Sequence, residues 1–262
     1  MELGLKGKVA IVSGGSRGIG FAIALELAAE GVNLALGARS GPDLETAAEE
    51  IRRETGVQVL PVGADLSTLS GVQTFVAAAV ELFGKVDILI NSAGAIRGGS
   101  LLTKPDSDWQ EDWDLKLFGY IRMMREVFPI MREAGGGRIV NIIGNAGRRP
   151  DPSYIAGGGA NAALMNITKA LAVEGGPDNI LVNGINPGPT RTARWDVMNQ
   201  GLASEWGKTV QEVEKIRVRD NPLGRPCEPE EVAALAVFLA SERASYLNGV
   251  LIDLDGGATR CV

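Results

Sequence analysis

Short apolar runs alternate with helical patterns along the whole chain, and this alternation limits the fold more than any other feature. Continuous apolar runs are typical of strands in a sheet that is covered on both faces. Helical crossovers between such strands make neighbouring strands parallel. The sequence therefore predicts an α/β fold with one doubly wound, seven-stranded parallel sheet and helices on both faces. The predicted strands are residues 8–13, 33–38, 57–62, 86–91, 138–143, 180–185 and 250–254.

No linker, repeat or low-complexity tract interrupts this pattern, so residues 1–262 are expected to form a single domain. Helices are predicted at 19–30, 43–54, 72–82, 108–132, 160–174 and 229–240. Ligands of such sheets bind beyond the carboxyl ends of the strands. The loops that follow the strands are therefore the candidate functional segments: 14–18, 39–40, 64–66, 92–98, 144–153 and 187–196.

Residues 193–227 form a mixed stretch that carries unusual apolar bulk for a loop region. Its large side chains are Trp195, Met198, Leu202 and Trp206. They predict either a lid over an apolar or extended substrate or a contact between subunits.

The chain contains no histidine. This absence excludes Ser-His-Asp catalysis and HExxH zinc sites, and no metal site is expected. Net charge is −6 without a basic block, which argues against nucleic acid and anionic membranes as partners. The start of the sequence lacks a signal-peptide pattern, and no apolar run is long enough to span a membrane. Cys227 and Cys261 form no CxxC pair, so we expect a cytoplasmic protein with ordinary thiols.

A glycine-rich loop lies directly between the first predicted strand and the first predicted helix. Its glycines permit a sharp turn and bring the helix N-terminus close to a pyrophosphate, whose charge the free N–H groups and helix dipole favour. The candidate cofactor-binding residues here are Gly14, Ser16, Arg17, Gly18, Ile19 and Gly20. The loop also matches the G-x-S-x-G pattern of hydrolases, with Ser16 as the nucleophile. That serine needs a histidine base, and because the chain has no histidine the hydrolase interpretation is excluded.

The charge after the second strand indicates which dinucleotide binds. Proteins that bind NAD usually offer an acidic residue to the ribose 2′-hydroxyl at this place. This chain has Ala38 there, with Arg39 next and Arg17 in the glycine loop. Two arginines and no acid suit a 2′-phosphate. We therefore predict NADP(H) in preference to NAD(H).

Over nearly its whole length the sequence resembles the short-chain dehydrogenase/reductase family. Beyond the glycine loop, four segments carry the likeness: Asp65-Leu66, Asn91-Ser92-Ala93-Gly94, Pro187-Gly188 with Thr190 and Thr192, and Asp253–Gly257. The resemblance implies a Rossmann-type fold, with Asp65 and Leu66 at the adenine and the Pro187-Gly188 segment at the nicotinamide amide. It also implies hydride transfer between a nicotinamide and a small-molecule carbonyl or alcohol, usually in a homotetramer.

The family's catalytic residues are a serine, a tyrosine, a lysine four residues after the tyrosine, and an asparagine on the long helix. Tyr154 matches the tyrosine, whereas Gly144, Gly158 and Lys116 stand at the serine, lysine and asparagine positions. In the family the tyrosine is the acid–base and the lysine lowers its pKa. An unperturbed tyrosine has a pKa near ~10, so its phenolate needs a nearby cation at neutral pH.

Two hypotheses concern the missing groups. Lys116, on the flank of the apolar stripe of its helix, is either a relocated lysine beside Tyr154 or a surface lysine. Asn145 is either a stand-in for the serine or a turn residue, and Asn161 is a second polar candidate. The glycines at 157–159 imply a helix that starts near 160 or a backbone that approaches something closely.

Three functions follow from these observations. The first is an NADP(H)-dependent oxidoreductase with Tyr154 as acid–base and Lys116 as its pKa modulator. The second keeps the cofactor site without redox chemistry, as a nucleotide-sensing module or a non-redox enzyme. The third is a structural or interaction protein, such as a silent subunit of a mixed oligomer.

Overall fold

The computed structural model describes residues 2–39 and 41–260, and the strands in this part of the chain form one seven-stranded sheet. They are β1 (Val9–Ser13), β2 (Asn33–Ala38), β3 (Val59–Gly63), β4 (Ile88–Asn91), β5 (Gly137–Ile142), β6 (Ile180–Pro187) and β7 (Leu251–Leu254). Their order is β3-β2-β1-β4-β5-β6-β7, and every neighbouring pair is parallel. The predicted doubly wound Rossmann-type sheet is confirmed.

The helices are α1 (Gly18–Ala29), α2 (Gly41–Thr55), α3 (Leu69–Phe83), α4 (Asp106–Trp113), α5 (Gly119–Glu133), α6 (Ile155–Gly175), α7 (Ala193–Trp206), α8 (Val210–Arg217) and α9 (Pro229–Ala240). A π-helical turn at Asp114–Phe118 joins α4 to α5 and interrupts the long helix that the sequence predicted. None of the described helices is long and apolar enough to cross a membrane.

Alternate residues of β1 enter two apolar cores on opposite faces of the sheet. Ala10 and Val12 pack into a core with α1, α2 and α9. Ile11, between them, packs into the other core with α3, α5 and α6. Burial on both faces explains why the strands are apolar without interruption.

The chain reverses its direction across the sheet between β1 and β4, which are neighbours in space. A crevice forms at the carboxyl ends of the strands at such a point, and ligands of open α/β sheets bind there. The loops after β1, β4, β5 and β6 all reach this edge.

Two expectations about local structure are wrong. Helix α6 begins at Ile155, not near residue 160, and holds all three glycines. The Tyr154 ring occupies the space of a side chain at Gly157, and the Ala146 carbonyl lies close to that space at Gly158. The stretch after residue 192 is largely helical, since threonines cap α7 and α8: Thr192 accepts from Trp195 N, and Thr209 forms a capping box with Glu212. Cys227 is a free thiol, while Cys261 lies outside the described residues.

Candidate active site

The glycine loop and the loop after β4 are joined at the crevice. The Ser13 hydroxyl at the end of β1 accepts hydrogen bonds from the backbone N–H groups of Ser92 (3.0 Å) and Ala93 (3.2 Å). Gly14 has a φ of +74°, and a Cβ on it would lie 2.9 Å from the Ala93 Cα. Only a glycine fits this turn, because a side chain would be strained and would meet the neighbouring loop.

The segment after β6 closes the other side of the glycine loop. The Thr192 methyl lies 3.4 Å from the position that a Cβ on Gly18 would take. Helix α1 starts at Gly18, and Arg17 before it provides no side-chain cap. The first N–H groups of this helix therefore point to the crevice, where a phosphate can accept from them. The structure thus brings together the loops that hold the remaining predicted cofactor residues: Ser16, Ile19, Gly20, Asn91, Gly94, Pro187, Gly188 and Thr190.

Two charged residues mark the edge of the crevice beyond β2 and β3. Arg39 is exposed, as is Arg17 in the glycine loop. The pKa of Asp65 is lowered, chiefly by the hydrogen bond from the Ser67 hydroxyl (2.7 Å) and to a smaller extent by the charge of Arg39. Arg39 and Asp65 are therefore near each other, next to the buried Leu66.

Tyr154 lies directly before α6 and is partly buried. Its ring covers Gly157, so closely that a Cβ on this glycine would overlap the phenol. Burial raises the pKa of Tyr154, the charge of Arg194 opposes this rise, and the charge of Asp112 adds to it. A cation that the sequence interpretation did not consider therefore faces the tyrosine.

Lys116 lies in the π-helical turn and is buried, with 8% of its surface exposed. Its side chain points inward across Gly94, and a Cβ on that glycine would lie 2.7 Å from the Lys116 Cδ. The ammonium donates to the Ile142 carbonyl (2.7 Å) and to the Tyr120 hydroxyl (2.9 Å). Burial, and then the charge of Arg194, lower its pKa to about 7. Lys116 is thus an interior residue, not a surface lysine.

Lys116 and Tyr154 are not hydrogen-bonded to each other in this structure, but both act on Tyr120: Lys116 donates to its hydroxyl, and Tyr154 contributes to its raised pKa. The Tyr120 hydroxyl donates to the Ile142 carbonyl (2.9 Å). Burial, and then the proximity of Tyr154, raise the pKa of Tyr120. Three ionisable groups therefore share this end of the sheet.

The positions that the resemblance assigns to serine and lysine are closely packed against backbone and side chains. Gly144 follows β5 with a φ of +126°, and a Cβ on it would lie 2.9 Å from the Asn161 amide nitrogen. A Cβ on Gly158 would lie 3.2 Å from the Ala146 carbonyl oxygen. The Asn145 side chain lies close to the Asp255 carboxylate near the end of the chain.

Helices α7 and α8 occupy part of the segment that was expected to be a lid. Trp195 is buried, donates from its indole N–H to Glu214 (2.9 Å) and is stacked by the Arg217 guanidinium at 3.8 Å from the ring centroid. Arg194 donates to the Ile96 carbonyl in the loop after β4. Met198 and Trp206 remain 40% and 41% exposed. The sequence analysis did not single out Arg194. The available signal was its place shortly after the Pro187-Gly188 segment, in the first turn of α7.

Comparison with known proteins agrees with this architecture. The family model described as Enoyl-(Acyl carrier protein) reductase matches residues 14–259. The chain is 34% identical to the 3-oxoacyl-[acyl-carrier-protein] reductase FabG of Chlamydia trachomatis serovar D, over 97% of this chain and 98% of that one. The chain belongs to the short-chain dehydrogenase/reductase family, and it is an oxidoreductase of that family.

Two solved structures are similar over nearly their full length. The L-sorbose reductase from Gluconobacter frateurii, complexed with NADPH and L-sorbose, superposes with a TM-score of 0.96, at 36% identity and with 100% of both chains covered. A xylitol dehydrogenase with bound NAD⁺ superposes with a TM-score of 0.91 at 29% identity, covering 97% of this chain and 99% of that one.

Proposed function

We propose that the protein is an NADP(H)-dependent oxidoreductase that interconverts a small-molecule carbonyl and an alcohol, with Tyr154 as the acid–base. One observation carries the proposal. The Tyr154 phenol lies over Gly157 beside the crevice. Burial raises the pKa of this phenol, and the positive charge of Arg194 acts in the other direction, because it stabilises the phenolate. The two similar solved structures support a nicotinamide cofactor, since the L-sorbose reductase contains NADPH and the xylitol dehydrogenase contains NAD⁺.

The chain's own residues fit a dinucleotide at the crevice. The uncapped N-terminus of α1 offers N–H groups to a pyrophosphate, and the Ser13 hydroxyl holds the loop after β4 beside it. NADPH, when bound, supplies the hydride. We assign the exposed Arg17 and Arg39 to a 2′-phosphate, and their positive charge supports NADP(H) in preference to NAD(H).

A substitution tests the cofactor preference. Arg39→Ala removes one charge-assisted contact, which is worth ~1.5–3 kcal/mol, so the Kd for NADPH should rise by about tenfold or more. The Kd for NADH should stay the same. Arg53→Ala, an exposed arginine at the end of α2, is the matched control. Equal losses for both cofactors would contradict the preference.

The proton moves at the Tyr154 hydroxyl oxygen. Burial raises the pKa of this phenol, so it carries its proton at neutral pH and can donate it to the carbonyl oxygen during reduction. Arg194 then stabilises the phenolate that remains. We assign Lys116, which has a pKa of about 7, the role of a modulator that acts through the Tyr120 hydroxyl.

A second candidate function keeps the cofactor and loses the hydride transfer. The observation in its favour is the set of partners of Lys116, which are Tyr120 and Ile142 rather than Tyr154. In such a protein the cofactor would act as a bound regulator.

Two measurements separate the candidates. Fluorescence titration with NADPH measures cofactor binding, and NADPH oxidation is followed with ethyl acetoacetate, L-sorbose and a panel of aldehydes and ketones. Binding with turnover supports the oxidoreductase, whereas binding without turnover of any carbonyl supports the second candidate. An absence of binding would contradict both. The homotetramer and the cytoplasmic location stay predictions, and sedimentation equilibrium tests the first.

A further inference from the structure

Arg194 is a cation at the edge of the crevice without an anionic partner. It lies in the first turn of α7 and is exposed. Its guanidinium donates through Nη2 to the carbonyl of the buried Ile96, in the loop after β4. Within residues 2–39 and 41–260, no carboxylate forms an ion pair with it. One bond to a neutral carbonyl leaves the other N–H groups of this exposed guanidinium available to a ligand.

The guanidinium lies near the groups that the proposed reaction uses. Its bond to Ile96 connects the segment after β6 with the loop after β4, and both loops reach the carboxyl edge of the sheet. Burial, and then the charge of Arg194, lower the pKa of Lys116. The same charge opposes the rise that burial causes in the pKa of Tyr154. Arg194 is therefore close enough to the phenol to act on a molecule that contacts it.

Two carboxylates act electrostatically on this region, and both already have partners. The charge of Asp112 reaches Tyr154, and the charge of Glu214 reaches Arg217. Each carboxylate is held by two donors: Asp112 by Lys104 (2.7 Å) and Arg97 (3.2 Å), and Glu214 by Arg191 (3.2 Å) and the Trp195 indole (2.9 Å). Neither of them pairs with Arg194.

Arg217 is a second cation near Arg194. Burial, and then the charge of Arg194, lower its pKa. Arg217 donates to the Asn199 side-chain oxygen and stacks on the Trp195 ring, and both of these partners are neutral. Together with Lys116, the two arginines bring positive charge to one end of the crevice, although the chain has a net charge of −6. An anionic ligand would offset the mutual repulsion of these cations.

We propose that Arg194 binds a carboxylate of the substrate, so that the carbonyl compound reduced by this protein is an oxo acid; this inference rests on the proposed function. A guanidinium matches a carboxylate because its planar fork donates two parallel hydrogen bonds. The carboxylate is unchanged in the reaction. It holds the substrate while its carbonyl oxygen takes the proton of the Tyr154 hydroxyl, and the product is the hydroxy acid.

The first test compares oxo acids with their ethyl esters, which lack the negative charge. Pyruvate, acetoacetate and levulinate place the carbonyl at three different distances from the carboxylate. In the presence of saturating NADPH, the kcat/KM of the wild type should be at least about tenfold higher for one of these acids than for its ester, as for one charge-assisted contact.

The second test uses Arg194→Gln, which keeps a donor for the Ile96 carbonyl and removes the charge. The acid-to-ester ratio of kcat/KM should fall by about tenfold or more, mainly through a higher KM for the acid. Loss of phenolate stabilisation alone would lower the activity with acid and ester equally and leave the ratio unchanged. The Kd for NADPH, from fluorescence, should stay the same. Arg219→Gln, at an arginine whose side chain is 73% exposed, is the matched control and should keep the ratio.

Each other outcome overturns the inference. A wild type that reduces the esters as well as the acids, or better, has no site for the carboxylate, although the proposed function stands. An unchanged ratio in Arg194→Gln restricts Arg194 to the phenolate, and a Kd for NADPH that rises as much as the KM assigns it to the cofactor. If Arg194→Gln does not fold, Arg194→Lys should keep more of the ratio than Arg194→Met, and equal ratios contradict the inference. A wild type that binds NADPH but reduces no carbonyl overturns the proposed function itself, and the inference with it.

Discussion

Gly157 determines where the Tyr154 ring can lie. The ring rests against the Gly157 Cα because that residue has no side chain, and α6 accepts a glycine there in spite of its low helix propensity. Gly159, two residues on, is exposed, and a Cβ there would make only an ordinary contact of 3.5 Å with Trp113. A side chain at position 157 would therefore displace the Tyr154 ring, whereas a side chain at position 159 would fit.

Alanine should lower kcat at position 157 and stabilise the protein at position 159. Gly157→Ala displaces the Tyr154 ring, and a misplacement of about 1 Å can cost ~10²-fold in rate, so kcat should fall to that extent. Gly159→Ala should leave kcat unchanged and raise the free energy of unfolding by about 0.5–1 kcal/mol. Steady-state kinetics and urea unfolding measure both. Normal kcat in Gly157→Ala would show that the ring position is not needed.

Lys116 makes the stability of the protein depend on pH. Its pKa is about 7 in the folded protein against an ordinary 10.5, so the unfolded chain binds more protons between these values. The free energy of unfolding should therefore rise with pH in this window, by up to about 1.4 kcal/mol per pH unit from this group. Lys116→Met should lack this contribution. Urea unfolding of both proteins at pH 7, 8 and 9 tests it, and parallel slopes would contradict it.

At the scale of elements, the loop between β4 and α4 positions the segment that carries the tyrosine. Lys104 and Asp112 form a buried ion pair (2.7 Å), and Arg97 contacts the same carboxylate (3.2 Å). The Gly99 N–H then donates to the Ser153 carbonyl (2.7 Å), directly before the tyrosine. The ion cluster therefore fixes the loop against α4 and, through it, the entry to α6.

Removing Lys104 should destabilise the protein more than removing an exposed lysine. Lys104→Met leaves Asp112 buried with only Arg97 to pair with, and loss of one partner of a buried pair costs about 3–5 kcal/mol. Because Arg97 remains, we expect the lower end of that range. Lys85→Met, which breaks the more exposed pair with Asp87, should cost at most about 1 kcal/mol. Urea unfolding measures both, and equal costs would contradict the role of the buried cluster.

Strands were easier to predict than the helices around the site. Burial on both faces gives β1 and β6 their continuous apolar pattern, which is visible without any knowledge of the fold. The start of α6 was not predictable from helix propensity. Two of its glycines leave space for the Tyr154 ring and the Ala146 carbonyl, which a side chain would meet. Both groups come from outside the helix, and their approach is a property of the tertiary structure.

At the scale of the whole molecule, the sheet brings distant residues to one edge. The cofactor loop, the segment after β4 and Tyr154 could be placed there from the sequence because each follows a strand or its loop. Arg194 and the Asn161 amide could not be assigned their places. The charge of Arg194 acts across the crevice from α7, and the amide faces Gly144 across a contact between two elements. Such contacts depend on packing rather than on local pattern.

The most direct test of the central proposal is the turnover of NADPH by the wild type and by Tyr154→Phe. We expect the wild type to oxidise NADPH with at least one carbonyl of the panel. Tyr154→Phe should keep the Kd for NADPH and lose about 10²–10⁴-fold in kcat, the usual contribution of a general acid. A wild type that binds NADPH without oxidising it, or a Tyr154→Phe variant with unchanged kcat, would contradict the role of this tyrosine in the reaction.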